Sequence, residues 1–345
     1  MQSKAEIWSI QYLRAVAAVS VVAFHMLQGR WLFDLGKYGV DVFFVISGFI
    51  VVAITDRRPV APRQFFLDRL TRIVPLYWVA TAMVFFLGWF GAYSTSLESS
   101  FSAEYILKSL LFIPAEAPYS RQEIWPLYYL GWTLNYEMFF YVVFASTLVL
   151  PTYCRLPALT IIFVALTAIG FFYDFQNPVL ATYLSPRLME FLSGALLGRI
   201  FGFDLKNRRF REAILYSSLI SGCLLILGIA FPELGPGAAA GLLVSTFLVL
   251  DRCNLVPRLL PLKALGDASY SIYLVQEFAY LALISVAPHL GLGEGGKFYG
   301  LVCVVAIVSG LAAHRWLEVP LTRNARLGLT RLLDRRRKSA GASSS

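Results

Sequence analysis

The chain has 345 residues, of which 58% are hydrophobic and only 15% charged, with a mean hydropathy of +0.65 and a formal net charge of +9. A soluble chain carries about a quarter charged residues, so the composition excludes a soluble globular domain and makes lipid the solvent. Backbone groups in a bilayer core must pair within helices or a closed barrel. The apolar runs lack the alternation of barrel strands, which predicts an all-α, polytopic integral membrane protein.

The first apolar run, 9–29, holds Arg14 and His25 and is followed by no small-residue cleavage site, which argues against a cleaved signal peptide. Eleven residues at 100° each return the two side chains to within about 20° of one helix face, about 16 Å apart along the axis. Ionisable groups in a span are costly, so each is a functional hypothesis. The plainer alternatives are an arginine that snorkels to headgroups and a packing histidine. The second span, 38–55, starts with Asp41 in Gly39-Val40-Asp41, either a charge favoured by the helix dipole or a working carboxylate. Ser47 and Gly48 are small enough to let another helix approach.

Ahead of the third span, 73–92, Arg69 and Arg72 are three residues apart and share a helix face. Paired guanidiniums suit bidentate phosphate binding, while contact with anionic lipid is the plainer reading. Residues 101–114, with Glu104 and Lys108, look too short to span and predict a helix lying at the interface. In the fourth span, 127–150, Glu137 falls about 15 Å from the start, where a carboxylate must be neutral, paired or hydrated. Its plain role is as structural partner to Arg14. Asn135 is the second polar group there.

Further spans at 157–172, 186–202, 213–231, 236–250, 268–287 and 298–316 make ten transmembrane helices. Cys154, Cys223, Cys253 and Cys303 have no metal-ligand spacing and read as structural thiols, with Cys154 in a short turn. No metal site is expected. Ten spans put both termini on one side. With that side cytoplasmic, the outer segments keep only Arg30, Lys37, Lys108, Arg121, Arg187 and Lys297 of the 30 lysines and arginines. This is a strong positive-inside signal. The positive charge then reflects topology and anionic lipid rather than nucleic acid. The expected division is a membrane domain, 1–323, and a basic cytoplasmic tail, 324–345, disordered toward its end.

Several of these pieces occur in a familiar order. Leu13-Arg14-Ala15 with His25, Gly39-Val40-Asp41 leading into Phe43-Phe44-Val45-Ile46-Ser47-Gly48-Phe49, Arg69-Leu70-Thr71-Arg72-Ile73-Val74-Pro75, Trp132-Thr133-Leu134 with Glu137, and Glu318 before Pro320 together resemble the acyltransferase-3 family of membrane acyltransferases. The resemblance runs from about residue 7 to 323. Ile10-Gln11-Tyr12-Leu13-Arg14 is most similar to the branch that acetylates exopolysaccharides. It implies ten helices, a cytoplasmic acyl-CoA donor, and an acceptor sugar at the outer side or the membrane midplane. It also implies that Arg14 and His25 are needed and that Arg69 and Arg72 handle the donor. Two departures stand out. Gln11-Tyr12 replaces the aspartate many members carry before Leu-Arg, and Gln276 replaces a histidine in the Tyr-Leu-x-His motif, so that position receives no role.

The expected function is O-acyl transfer, most simply acetyl, from cytoplasmic acyl-CoA to a sugar hydroxyl of an exopolysaccharide or its lipid-linked precursor. Multi-pass insertion in a bacterial inner membrane is expected, with no permanently bound cofactor. The partners are acyl-CoA, a carbohydrate, the bilayer and a polysaccharide assembly complex. Thioester transfer needs a base for the hydroxyl proton and a cation or dipoles for the oxyanion. His25 is the candidate base, oriented by Glu137 or Asp41. Arg14 offsets charge or pairs with Glu137, and Arg69 and Arg72 grip the CoA phosphates. No nucleophile elbow is present, which favours direct transfer and leaves an acyl-histidine intermediate open. The competing class is a transporter or flippase of a polysaccharide precursor, but no internal repeat supports it.

Overall fold

Long apolar runs bounded by Gly, Pro and charged residues fold as helices because only i to i−4 pairing satisfies the backbone locally. The computed structural model describes residues 7–27, 35–90, 102–118, 120, 123–201, 234–290 and 295–342, and among these it contains helices and no strand. The helices are α1 (Trp8–Met26), α2 (Gly39–Thr55), α3 (Pro62–Trp89), α4 (Ala103–Leu110), α5 (Trp132–Thr147), α6 (Thr152–Phe172) and α7 (Pro178–Tyr183). They continue with α8 (Leu188–Phe201), α9 (Gly235–Arg252), α10 (Leu260–Asp267), α11 (Ser269–Val286), α12 (Gly296–Ala313) and α13 (Val319–Ala342).

Among the described residues, six stretches are long and apolar enough to cross a membrane, namely α1, 35–55, α3, α6, α11 and 296–332. Helices α5, α8 and α9 occupy three more of the expected spans with 16, 14 and 18 residues and fall below that standard. The expected span 213–231 lies outside the described residues. Enclosure explains the shorter helices: α8 is buried on nearly all sides, from Leu188 to Phe201, so it meets neighbouring helices rather than lipid. The opposite case is α6, where only Leu159 and Phe163 are buried and Ile161 is 70% exposed. An apolar face of that length has no place in water.

Helix α1 is the hub, packing against α2, α9, α10, α11 and α12. Its neighbour α2 runs parallel to α8 in the closest approach of the fold. A β-carbon at Gly194 would lie 1.8 Å from the Val45 carbonyl oxygen, and one at Gly48 2.0 Å from that of Phe191. Small residues thus bring the two backbones into contact. Ion pairs close both ends of this pair: Asp41 with Arg187 at 3.6 Å and Asp56 with Arg199 at 2.7 Å.

Three sequence expectations shift. Cys154 sits in the first turn of α6, since helix starts at Thr152 rather than after a longer turn. Glu137 lies only five residues into α5, about 7.5 Å from its start, because 129–131 form a separate 3-10 turn. The interfacial segment is helical only over Ala103–Leu110, capped by Ser102 and bearing an exposed Glu104–Lys108 pair at 2.6 Å. Helix α13 runs from Val319 to Ala342. Leu, Ala, Arg and Lys are strong helix formers, and their abundance there accounts for it.

Candidate active site

The polar side chains of the spans gather at two levels of the bundle. Helix α1 fixes the reference: Arg14 lies toward its Trp8 end and His25 in its last turn. At the level of Arg14, helices α1, α2, α3, α5 and α11 enclose a cavity of about 110 Å³, lined among others by Arg14, Ser47, Arg69, Arg72, Glu137 and Tyr141. Arg69 and Arg72 reach it together, as two residues three apart on α3 must. Arg14 donates to Gln11 Oε1 at 3.2 Å and lies within the electrostatic reach of Arg72, Glu318, Asp267 and Glu137.

Two atoms in this wall are buried without a hydrogen-bond partner, Arg69 Nε and Ser269 Oγ. The Arg69 guanidinium rests on the rings of Phe65 and Tyr141, 5.4 and 5.7 Å from their centroids. Aromatic faces hold the cation in place but accept no N–H in the way an oxygen does. A buried donor left this way costs about 1–3 kcal/mol, and an acceptor entering the cavity would relieve that cost.

Glu137 does not approach His25. Its Oε1 accepts from Ser47 Oγ at 2.5 Å and from Tyr141 OH at 2.6 Å, tying α5 to α2. Glu137→Gln keeps a carbonyl oxygen for both hydroxyls and is expected to shift thermal unfolding in detergent little. Glu137→Ala strands both donors and is expected to lose about 1–3 kcal/mol. Equal unfolding temperatures for the two variants would dismiss that role.

Near the Trp8 end Glu318 is buried, and its Oε2 accepts from Ser271 Oγ at 2.6 Å and contacts His314 Nδ1 at 2.8 Å. Both Glu318 and His314 belong to a π-helical turn, His314–Glu318, that joins α12 to α13. Such turns break the i to i−4 ladder and redirect side chains. Here the turn brings a carboxylate within electrostatic reach of Arg14 and Arg72. The sequence places His314 at the bilayer exit, and its i, i+4 spacing from Glu318 was the local signal of this contact.

The second level lies at the Met26 end of α1. A cavity of about 520 Å³ is lined there by His25, Asp41, Trp125, Tyr129, Trp132 and Arg187, among others. Val40 and Tyr273 line both this cavity and the arginine cavity, so they form the partition between the two levels. The Tyr273 hydroxyl donates to Leu130 O at 2.8 Å and lies 3.2 Å from Thr133 Oγ1.

His25 Nδ1 lies 2.9 Å from Val21 O. A carbonyl only accepts, so Nδ1 carries the proton and Nε2 of the neutral ring keeps its lone pair. The expected orienting carboxylate is therefore replaced by the helix backbone. Asp41 shares the cavity but pairs with Arg187 and with Glu190, whose own distance to Arg187 is 3.7 Å. Arg187 also lies 5.0 Å from the centre of the Trp132 ring. Glu190 is buried, with Oε2 unpartnered. Arg187 and Glu190 escaped the sequence reading, although their i, i+3 spacing at the start of a span was a usable signal.

The arrangement sets a cation-lined chamber beside an aromatic chamber that holds an imidazole with a free lone pair. Comparison with known proteins identifies the family. The acyltransferase domain family matches residues 7–314. The chain is 41% identical over 299 residues to the exopolysaccharide production protein ExoZ of Rhizobium meliloti (strain 1021), covering 85% of this chain and 92% of that one. It is 24% identical over 368 residues to the peptidoglycan O-acetyltransferase OatA of Listeria monocytogenes, covering 92% of this chain but 56% of that protein. No solved structure matches. A family match over nearly the whole chain, on a helical bundle with this buried polar core, shows that the protein belongs to the acyltransferase-3 family and is a membrane acyltransferase enzyme.

Proposed function

We propose that the enzyme moves an acetyl group from acyl-CoA on the cytoplasmic side to a sugar hydroxyl of an exopolysaccharide, or of its lipid-linked precursor, on the outer side of a bacterial inner membrane. In this reading ten helices cross the membrane, α5, α8 and α9 among them. Both termini are cytoplasmic, as the distribution of lysine and arginine favours. The Trp8 end of α1 then faces the cytoplasm and His25 the outside. The observation that carries the reading is the pair of chambers, meeting at Val40 and Tyr273, with three arginines in one and His25 in the other.

The donor enters from the cytoplasm with its phosphates on Arg69 and Arg72, where an unpartnered N–H waits. Arg14 belongs to this end. It is about 16 Å along α1 from His25, too far to meet an oxyanion formed there, so it offsets donor charge instead. The extended pantetheine arm carries the thioester past Tyr273. His25 Nε2 takes the proton of the sugar hydroxyl, the oxygen attacks the thioester carbon, and a C–O bond forms. The tetrahedral intermediate then breaks its C–S bond, and the imidazolium returns the proton to the departing thiolate, giving CoA–SH. Acyl-CoA is consumed and no cofactor stays bound. Asp41 acts at the acceptor chamber, where it and Glu190 hold Arg187 against Trp132.

The test is CoA release by the purified enzyme in nanodiscs, given acetyl-CoA with and without a lipid-linked oligosaccharide. Release that depends on the acceptor supports direct transfer. A burst of CoA without acceptor overturns the direct step in favour of an acyl-enzyme. Binding or movement of the lipid-linked sugar with no CoA release overturns the whole reading and leaves a flippase.

A further inference from the structure

His25 does not face one chamber only. With Tyr129 it also lines a second cavity at the same level, of about 400 Å³, whose other walls include Glu277, Tyr280 and Tyr299. The two cavities are of similar size, and both end on the same imidazole. Tyr129 stands between them: its ring lies 6.2 Å from that of His25 and 5.9 Å from that of Trp125, and its hydroxyl donates to Glu277 Oε2 at 3.0 Å. Neither the base nor the arginine chamber requires this second cavity.

The linings overlap in chemistry, the first adding Lys37 and Arg187. Each combines aromatic rings with a carboxylate: Trp125, Trp132 and Asp41 on one side, Tyr280, Tyr299 and Glu277 on the other. Aromatic faces cover the apolar C–H faces of sugar rings, and carboxylates accept from sugar hydroxyls. A site for a single sugar would need one such chamber, with the base at its closed end. Two chambers flanking one base match a chain that passes across the base.

We infer that the acceptor lies across His25, with the modified sugar against Trp125 and Trp132 and its chain neighbour in the Glu277–Tyr299 cavity. The acceptor is thus an oligosaccharide of at least two residues rather than a monosaccharide. This rests on the acyltransfer reading above and extends it to acceptor length.

The experiment uses de-O-acetylated exopolysaccharide from the producing strain, cut by mild acid and sized into mono-, di- and tetrasaccharides, with acetyl-CoA and the full-length enzyme. The disaccharide and tetrasaccharide should exceed the monosaccharide in kcat/KM by about tenfold or more, the worth of one charge-assisted contact. Glu277→Gln, which keeps an oxygen for Tyr129, and Tyr299→Ala should raise the KM of the longer acceptors by about the same factor. Neither should change the KM of acetyl-CoA, whereas damage to the fold would move both constants. Equal kcat/KM for all three sizes, or variants indistinguishable from wild type, overturns the second subsite and leaves the acyltransferase reading standing. Absence of CoA release from every fraction and from the lipid-linked oligosaccharide overturns both.

Discussion

Alanine in place of His25 is expected to lower acetyl transfer by about 10²–10⁴-fold, the usual contribution of a positioned general base. Donor binding should survive, since the ring lies about 16 Å along α1 from Arg14. Structure should survive as well. The only hydrogen bond described for the side chain returns to Val21 O, one turn back on its own helix. His25→Asn separates orientation from base chemistry, because its amide can still donate to that carbonyl but accepts no proton at neutral pH. It should be as inactive as the alanine variant. In the wild type only the neutral imidazole accepts the hydroxyl proton. Turnover should therefore fall as pH is lowered through the imidazole titration, and the residual rate of the alanine variant should not follow it. Wild-type turnover by His25→Ala would assign the proton to another group and remove the centre of the proposed mechanism.

The polar residues of this site were legible in the sequence one helix at a time. Helical period alone put Arg14 and His25 on one face of α1 and Arg69 with Arg72 on one face of α3, and both pairs line cavities as that period requires. The relation between helices was not legible. Nothing in the pattern of α5 says that Glu137 meets Ser47 and Tyr141 rather than His25. That contact depends on how far α5 is set back, and the 3-10 turn at Tyr129–Gly131 decides it. Asp41 shows the same limit. Its partners Arg187 and Glu190 arrive on α8, and α8 reaches α2 only because Gly48 and Gly194 remove the side chains that would hold the backbones apart. Those glycines stood in the sequence as small residues, but no local rule named the helix they would meet. The π-helical turn at His314–Glu318 is a third case. Its carboxylate enters the bundle through an irregularity that periodicity does not record.

Removing both guanidiniums of α3 should have the other large effect. Each charge-assisted hydrogen bond contributes about 1.5–3 kcal/mol, so Arg69→Ala with Arg72→Ala should cost about 3–6 kcal/mol. At about 1.4 kcal/mol per decade this is a loss of about 10²–10⁴ in kcat/KM for acetyl-CoA. The loss should depend on the phosphates. With acetyl-S-(N-acetylcysteamine), a thioester without them, wild type and double variant should react alike. Raising ionic strength should weaken acetyl-CoA binding to the wild type but not affect the short thioester, because screening acts on the charges alone. Arg69→Lys should fall between, since an ammonium restores the charge but not the planar fork. A double variant that loses both thioesters equally would make the pair part of the scaffold, set there by Phe65 and Tyr141. The structure argues the other way. A scaffold arginine in a low-dielectric bundle has its N–H groups satisfied by protein oxygens, and Arg69 Nε is buried without one. In the proposed reaction the missing partner is a phosphate oxygen of the donor.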